Sequence, residues 1–182
     1  MSVSESTTKQ LAPAGTWAAD KVHSNVSFEV AYSGVNTFRG SFTDFTATLQ
    51  NESLEGTAKV ASVDVKDEQL SGHLLAPDFF DVERYPEIAF TATELKRLDG
   101  NRVEAKGEIT IKGVTQPIEL TGRIADAPST DPFGRERLGL SLESTVDRTD
   151  FGVSWNMPLP TGEPSVGDDV TIVAELYFTK AA

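Results

Sequence analysis

Hydrophobic and polar residues alternate with a period of two along most of the chain, from about residue 26 to residue 178. Because successive side chains of a strand point to opposite faces, this alternation predicts strands with one buried and one solvated face. About eight segments follow the pattern, and most connections between them are short turns. These segments are 26–32, 37–42, 54–65, 88–92, 103–111, 118–124, 138–146 and 170–178.

The third segment and the residues after it depart from this alternation. Its hydrophobic positions run regularly to Val60 and resume out of phase at Val63, which predicts a bulge or a bend. Leu70 and Leu74 then follow at the i, i+4 spacing of a helix, and Asp67 is of a residue type that caps helix starts. One short helix is therefore predicted after the third strand.

Many strands joined by short turns predict an all-β fold, either a sandwich or a barrel. The chain contains no cysteine, so the Cys–Trp–Cys pattern of immunoglobulin domains is absent. Short connections between consecutive strands favour an eight-stranded antiparallel up-and-down barrel with one short helix after the third strand. A barrel of eight strands either fills its interior with side chains or holds one small ligand.

Glycines on the apolar strand faces bear on that choice. Gly40, Gly56, Gly107 and Gly122 each fall among the inward positions of a predicted strand. Glycine weakens a strand, so its presence indicates sharp curvature or close approach of something to the backbone. Two explanations stay open: either the glycines serve curvature and large neighbours fill the interior, or they leave volume for a ligand.

Composition narrows the classes of function. The net charge is −12 and the 16 basic residues are scattered, which disfavours nucleic acid because a phosphate-binding face needs clustered cations. Residues 1–14 are rich in Ser, Thr, Ala and Pro and predict a disordered tail before a domain at 15–182. The first sixteen residues lack the pattern of a secretory signal, and no apolar run is long enough for a membrane span. We therefore expect a soluble, cytoplasmic protein without stable membrane insertion.

Metal and nucleophile chemistry have little support in the sequence. His23 and His73, the two histidines, lie fifty residues apart without any cysteine, and this is no recognisable metal motif. Ser24 follows His23 directly, but adjacent strand residues point to opposite faces and no nucleophile elbow surrounds the serine. We expect no metal, no cofactor and no catalytic residue.

The stretch HLLAPDFFDVERYPEIAF, residues 73–90, sets two adjacent phenylalanines among acids, ahead of a Tyr-Pro pair. It resembles a signature of the YceI-like family, lipocalin-like proteins that bind long isoprenoid lipids. Similar matches run in order from residue 15 to about residue 178. They are GTWAADKVHSNVSFEV, FRGSFTDF, GEITIKGVTQPIEL, VDRTDFGVSWN and VGDDVTIVAEL.

The resemblance implies a lipocalin-like barrel with a helix near its mouth, an elongated apolar tunnel, no catalytic centre and frequent homodimers. It implies an isoprenoid ligand with a polyprenyl phosphate or quinone-type tail, bound for carriage, storage or sequestration. The chain differs from many members at Leu70-Ser71, where they carry Arg-Asp, and from several at Tyr32, where they carry His. The resemblance therefore implies binding of the tail but leaves the head group open.

The candidate ligand-binding residues are large apolar side chains, since stiff apolar surface suits a lipid site. They come from the inward positions of the strands, from residues 73–90 and from the loop before the last strand. They are Phe28, Val30, Tyr32, Phe38, Phe42, Leu74, Phe79, Phe80, Tyr85, Phe90, Phe151 and Trp155. The Tyr85 hydroxyl is a candidate contact for a polar head group, and Trp17 is a candidate plug of the barrel floor.

Two other functions stay open at this point. One is an enzyme that acts on an isoprenoid-like or other apolar small molecule through His23 or His73 with nearby acids. The other is a structural or stress-related protein with no physiological ligand, whose apolar lining serves folding alone.

Overall fold

The computed structural model of the protein describes residues 14–181. All of the predicted disordered tail except Ala14 therefore lies outside the described residues. The strands are β1 (Thr16–Ala19), β2 (Asn25–Tyr32), β3 (Asn36–Phe42), β4 (Phe45–Gln50), β5 (Ser53–Lys59), β6 (Val63–Asp64), β7 (Glu87–Arg97), β8 (Arg102–Ile111), β9 (Val114–Ile124), β10 (Ser129–Thr130), β11 (Glu136–Asp147) and β12 (Val166–Lys180). A single α-helix in the described part of the chain, α1 (Glu68–Leu74), follows β6.

All of these segments except the two-residue β10, which pairs only with β11, form a closed barrel of eight antiparallel strands. Three of the eight are interrupted by kinks, so that β1 continues into β2, β3 into β4 and β5 into β6. Neighbours pair in chain order, and β12 closes the barrel by pairing with β11 along one edge and with both β1 and β2 along the other. The predicted all-β up-and-down barrel, with one short helix after its third strand, is confirmed.

Local sequence explains the helix and one of the kinks. The Asp67 carboxylate accepts a hydrogen bond of 2.8 Å from the backbone N–H of Leu70, so Asp67 caps the start of α1 as predicted. The predicted bulge or bend in the third strand is one turn of 3₁₀ helix, Val60–Ser62, between β5 and β6. Strand β4 was not predicted, although Phe45, Ala47 and Leu49 alternate along it and are all buried.

At two of the four inward-facing positions, glycine allows neighbouring backbones to approach closely. A Cβ on Gly107 would lie 1.9 Å from the carbonyl oxygen of Thr91, beside an irregularity in the pairing of β7. A Cβ on Gly122 would lie 1.7 Å from the carbonyl oxygen of Ser141 on β11. These glycines serve the close pairing of strongly curved strands, so they leave no volume for a ligand.

The other two glycines differ from each other. The Phe28 ring occupies the space over Gly40, where a Cβ would lie 2.4 Å from the ring. Gly56 alone among the four lies on the wall of the cavity described below. Of the two explanations that the sequence left open, close strand pairing or filling by a neighbour therefore holds at Gly40, Gly107 and Gly122.

The barrel interior is packed at one end and hollow at the other. We call the end that carries the turns before β2 and between β7 and β8 the closed end. Large side chains with almost no exposed surface fill the interior there. These are Trp17, Leu49, Leu95, Val103, Ile124, Leu138, Leu140 and Phe178. Trp17 thus fills the floor of the barrel as predicted. The opposite, open end carries the β2–β3 and β8–β9 hairpins, α1 and residues 148–165.

A polar network covers the closed end. The guanidinium of Arg137, only 3% exposed, binds the carboxylates of Asp20 at 2.7 Å and Asp131 at 3.3 Å. It also lies 4.3 Å from the ring centroid of Tyr177. The His23 imidazole contacts Asp20 at 2.7 Å, and the hydrogen bonds from His23 and then Arg137 hold the pKa of the Asp20 carboxyl well below its usual range. A buried guanidinium is tolerated here because two carboxylates compensate its charge.

The contacts of Gly122 predict a large difference between two Gly→Ala substitutions on adjacent strands. Gly122→Ala should lower the free energy of unfolding by at least about 2 kcal/mol, because the new methyl group overlaps a backbone carbonyl. Gly139→Ala meets only the Tyr177 ring, at 3.9 Å, so it should be neutral or stabilise by about 0.4–1 kcal/mol. Urea unfolding measures both, and equal stability of the two variants would contradict the steric argument.

The network at the closed end predicts a pH-dependent effect of Asp20→Asn. Since the folded-state pKa of Asp20 is depressed, the carboxylate stabilises the fold above its unfolded pKa of about 4 and loses that contribution as pH falls further. The stability gap between the wild type and Asp20→Asn should therefore be widest near pH 7 and narrow towards pH 3 in urea unfolding. Asp126→Asn, at an exposed position of the same end, is the control. A gap independent of pH would refute this assignment.

Candidate functional site

A cavity of about 520 Å³ occupies the open half of the barrel. Its wall is almost entirely apolar and comes from β2 to β5, β7 to β9, β11, β12, α1 and the residues that follow α1 and β11. Tyr32 lies on this wall and is 45% exposed, so the cavity reaches solvent at the open end. A volume of this size is typical of small-molecule binding sites.

Left dry, such a cavity would be unfavourable. At about 24 cal/mol per Å³, 520 Å³ of empty volume would cost about 12 kcal/mol, which is comparable with the whole stability of a domain. Water is a poor filler, because each buried water needs two to four polar partners and this wall offers few. The cavity is therefore suited to an apolar guest.

The structure brings eleven of the twelve predicted ligand-binding residues together on this wall. They are Phe28, Val30, Tyr32, Phe38 and Phe42 from β2 and β3, Leu74 from α1, Phe79 and Phe80 after it, Phe90 from β7, and Phe151 and Trp155 after β11. Their position follows from the alternation along the strands and from the closure of the barrel. That they contact a ligand stays a prediction.

Tyr85 is the twelfth predicted residue, and it does not lie on the wall. The Tyr85 ring packs against Gly113 in the β8–β9 turn, and a Cβ on this glycine would lie 2.5 Å from the ring. The backbone of Gly113 also has a positive φ, +74°. The guanidinium of Arg84 lies 5.4 Å from the ring centroid of Tyr85. Tyr85 therefore supports a turn of the barrel, and we leave it out of the candidate site.

The adjacent phenylalanines after α1 belong to a cover over the cavity. The centroid of the Phe79 ring lies 5.0 Å from that of the His73 imidazole and 5.3 Å from that of the Trp155 indole. The centroids of the His73 and Trp155 rings are 5.3 Å apart. The Phe80 ring contacts Phe42 of β3 edge to face at 6.0 Å. Aromatic contacts thus join α1 to the loop before β12, and the residues after α1 to the barrel wall.

Arg148 is a residue of the site that the sequence did not single out. Its guanidinium is 7% exposed and lies on the cavity wall. Nε donates to the carbonyl of Gly167 at 2.8 Å, and Nη1 donates to the carbonyls of Val153 at 2.7 Å and Trp155 at 3.0 Å. Burial lowers the pKa of this guanidinium from its usual very high value, but arginine remains charged in proteins. Arg148 therefore anchors the loop 153–167 and places a positive charge beside an apolar cavity.

Sequence reasoning also missed most of the aliphatic wall, because it selected aromatic residues. The strand β4 was missed as well, although its alternation was a usable signal. The wall residues missed include Phe45, Ala47, Leu54, Ala58, Ile88, Ile109, Ile111, Ile118, Leu120, Leu142, Val153, Val166, Val170, Ile172, Ala174 and Leu176.

Residues 14–181 contain neither a cluster of metal-ligating side chains nor a helix that could span a membrane. In this range no three His, Cys, Asp or Glu side chains lie close enough together to hold a metal ion. None of the helices in the same range combines the length and the hydrophobicity that crossing a bilayer requires.

Known proteins resemble this chain along most of its length. The model of the YceI-like domain matches residues 17–178. A UPF0312 protein of Pectobacterium atrosepticum is 30% identical over 142 residues, which cover 74% of this chain and 73% of that protein. The crystal structure of BcnA from Burkholderia cenocepacia aligns with a TM-score of 0.75 at 23% identity, over 87% of this chain and 98% of that one.

One further solved structure is that of a lipid-binding domain with the same fold. It is a polyisoprenoid binding domain from Saccharophagus degradans, implicated in plant cell wall breakdown, with a TM-score of 0.71 at 10% identity. The alignment covers 92% of this chain and 99% of that one. At this identity the likeness shows a shared fold.

The position of the two tryptophans predicts which of them senses a guest in the cavity. Trp17 is fully buried in the packed half, whereas Trp155 lies on the cavity wall. A brominated long-chain alkane, which quenches indole fluorescence by contact, should therefore quench Trp155. The variant Trp17→Phe should keep the quenching and Trp155→Phe should lose it. Persistent quenching in Trp155→Phe would place the guest elsewhere.

Proposed function

The chain belongs to the YceI-like domain family, and from this premise we propose that its cavity binds one long-chain isoprenoid lipid, for carriage, storage or sequestration. The observation that carries the proposal is an apolar cavity of about 520 Å³ that opens at one end of the barrel. A polyprenyl or quinone-type tail matches this site because it is long, flexible and apolar. The fold shared with a polyisoprenoid binding domain supports the same ligand class.

Size and energy are consistent with such a ligand. If each methylene group takes about the volume of one water molecule, roughly 30 Å³, the 520 Å³ cavity accommodates about 17 of these groups. Burial at about 0.8 kcal/mol per group gives roughly 14 kcal/mol, of which association and ordering remove at least about 4 kcal/mol. Up to about 10 kcal/mol remains, enough for micromolar affinity or tighter. A tail longer than the cavity would leave its remaining units at the open end.

We further propose that the protein binds this lipid without converting it. An enzyme using either histidine would need that side chain beside the cavity together with a well-placed acid. His23 lies at the closed end, away from the wall, and its partner Asp20 is engaged by Arg137. His73 is on the wall, but its contacts are aromatic rings and the exposed Asp78 at 4.0 Å. A cytoplasmic location and a homodimer remain predictions.

The direct test is native mass spectrometry of the protein purified from its own host. We expect one lipid with an isoprenoid chain per barrel, released by organic solvent and identified by its fragmentation. Protein that carries no stoichiometric lipid from its host, and that takes up none from a series of isoprenoid chains, would refute the proposal.

Filling the cavity should abolish binding while the fold persists. Ala174→Phe places a large ring on the wall from β12, so affinity for an isoprenoid chain should fall at least about tenfold, while the urea midpoint of the lipid-free protein stays the same or rises. Ala89→Phe, on the exposed face of β7, adds the same ring outside the barrel. This control should bind like the wild type. Equal affinity of the two variants would contradict a cavity-bound ligand.

A further inference from the structure

The charge on the cavity wall bears on which head group the lipid carries. Within residues 14–181, Arg148 is the one permanently charged side chain among the residues that form the wall. Its Nε and Nη1 hydrogen bonds to backbone carbonyls are between 2.7 and 3.0 Å long. Nη2 has only longer contacts, 3.5 Å to the carbonyl of Val166 and 3.7 Å to the carboxylate of Asp168. The second amino group of the guanidinium is therefore weakly engaged.

The counter-ion nearest to the Arg148 guanidinium is only loosely placed. Asp168 is 61% exposed and stands beyond hydrogen-bond distance of the guanidinium. Asp147 acts on Arg148 through its charge, but its carboxylate accepts hydrogen bonds from the backbone N–H and the hydroxyl of Thr149, at 2.9 and 2.6 Å. A guanidinium that is largely removed from water normally has a close and well-aligned anion. An oxyanion brought by a ligand would supply it.

We propose that Nη2 of Arg148 binds the anionic head group of the lipid, so that the preferred ligand is an acidic amphiphile, an apolar chain that ends in a phosphate or a carboxylate. This inference rests on the proposed function and selects among its ligands against neutral alcohols and quinones. Guanidinium groups bind oxyanions with strong, directional hydrogen bonds. The rest of the wall is apolar and receives the chain.

The same geometry assigns a role to Asp168. Its carboxylate is the nearest competitor for Nη2, so a ligand oxyanion must displace it or share the guanidinium with it. Because Asp168 is exposed and has no other ion pair or hydrogen bond within the described residues, removing its charge should leave the fold intact. Asp168 therefore weakens the binding of anions and has no effect on neutral chains.

Paired ligands with one chain and two head groups test the inference. Geranylgeranyl phosphate and geranylgeraniol share a twenty-carbon chain, and their dissociation constants are measured by displacement of a neutral apolar dye. In the wild-type protein the phosphate should bind at least about tenfold more tightly, the gain of one hydrogen bond to a charged group. Farnesyl-length or fatty carboxylates should also outcompete the matched alcohols, which distinguishes a general oxyanion site from a phosphate site.

Variants separate the local charge from the overall charge. Asp168→Asn should tighten the phosphate severalfold and leave the alcohol unchanged. Asp169→Asn, at the next position of β12, which is also exposed, removes the same charge and should change neither. Arg148→Gln should abolish the preference for phosphate, and its circular dichroism and urea midpoint show whether the loop 153–167 survives.

Each outcome bears on one proposal. Equal affinity of the wild type for phosphate and alcohol would overturn the head-group inference and leave lipid binding intact. Equal effects of Asp168→Asn and Asp169→Asn would also overturn it, because the preference would then follow net charge. Failure to bind either ligand would overturn the proposed function itself.

Discussion

Closure of the barrel through β12 fixes the width of its interior. This fifteen-residue strand pairs with β11 along one edge and with β1 and β2 along the other. Each of the eight barrel strands therefore has a neighbouring strand on both sides. The diameter of a closed barrel follows from its strand number and stagger. The walls cannot move inward without breaking hydrogen bonds between strands. The barrel therefore cannot contract to remove interior volume that its own side chains leave empty.

Side-chain size along the strands then decides where the hollow lies. At the closed end Trp17 and Phe178 meet several leucines in a core with no exposed surface. In the hollow half, the small side chains of Ala47, Ala58 and Ala174 lie on the wall. One half of the barrel therefore supplies stability through dense packing. That reserve lets the other half retain an apolar hollow.

Alternation predicted every long strand of the barrel except β4, and the spacing of Leu70 and Leu74 behind Asp67 was sufficient to predict α1. The aromatic part of the cavity wall followed from the same alternation, since inward positions of a closed barrel must face one interior, whereas most of its aliphatic part was missed. The sequence did not predict contacts between side chains of different strands, because these contacts depend on how the strands pair. Sequence alone could not show that the Phe28 ring covers Gly40, because the two residues meet only through the register of β2 and β3. Arg148 was missed for a similar reason: a lone arginine at a strand end is usually solvated, and its burial depends on carbonyls up to nineteen residues away.

The packed floor has a consequence for exchange of contents. Trp17 and its neighbours fill one end of the barrel. The cavity is therefore open at one end only, and no ligand can pass through the barrel from end to end. Whatever leaves must retrace the path by which it arrived, past the aromatic cover formed by His73, Phe79 and Trp155. For the lipid proposed above, loading and release would therefore use the same rim of the barrel and could not take place at the same time.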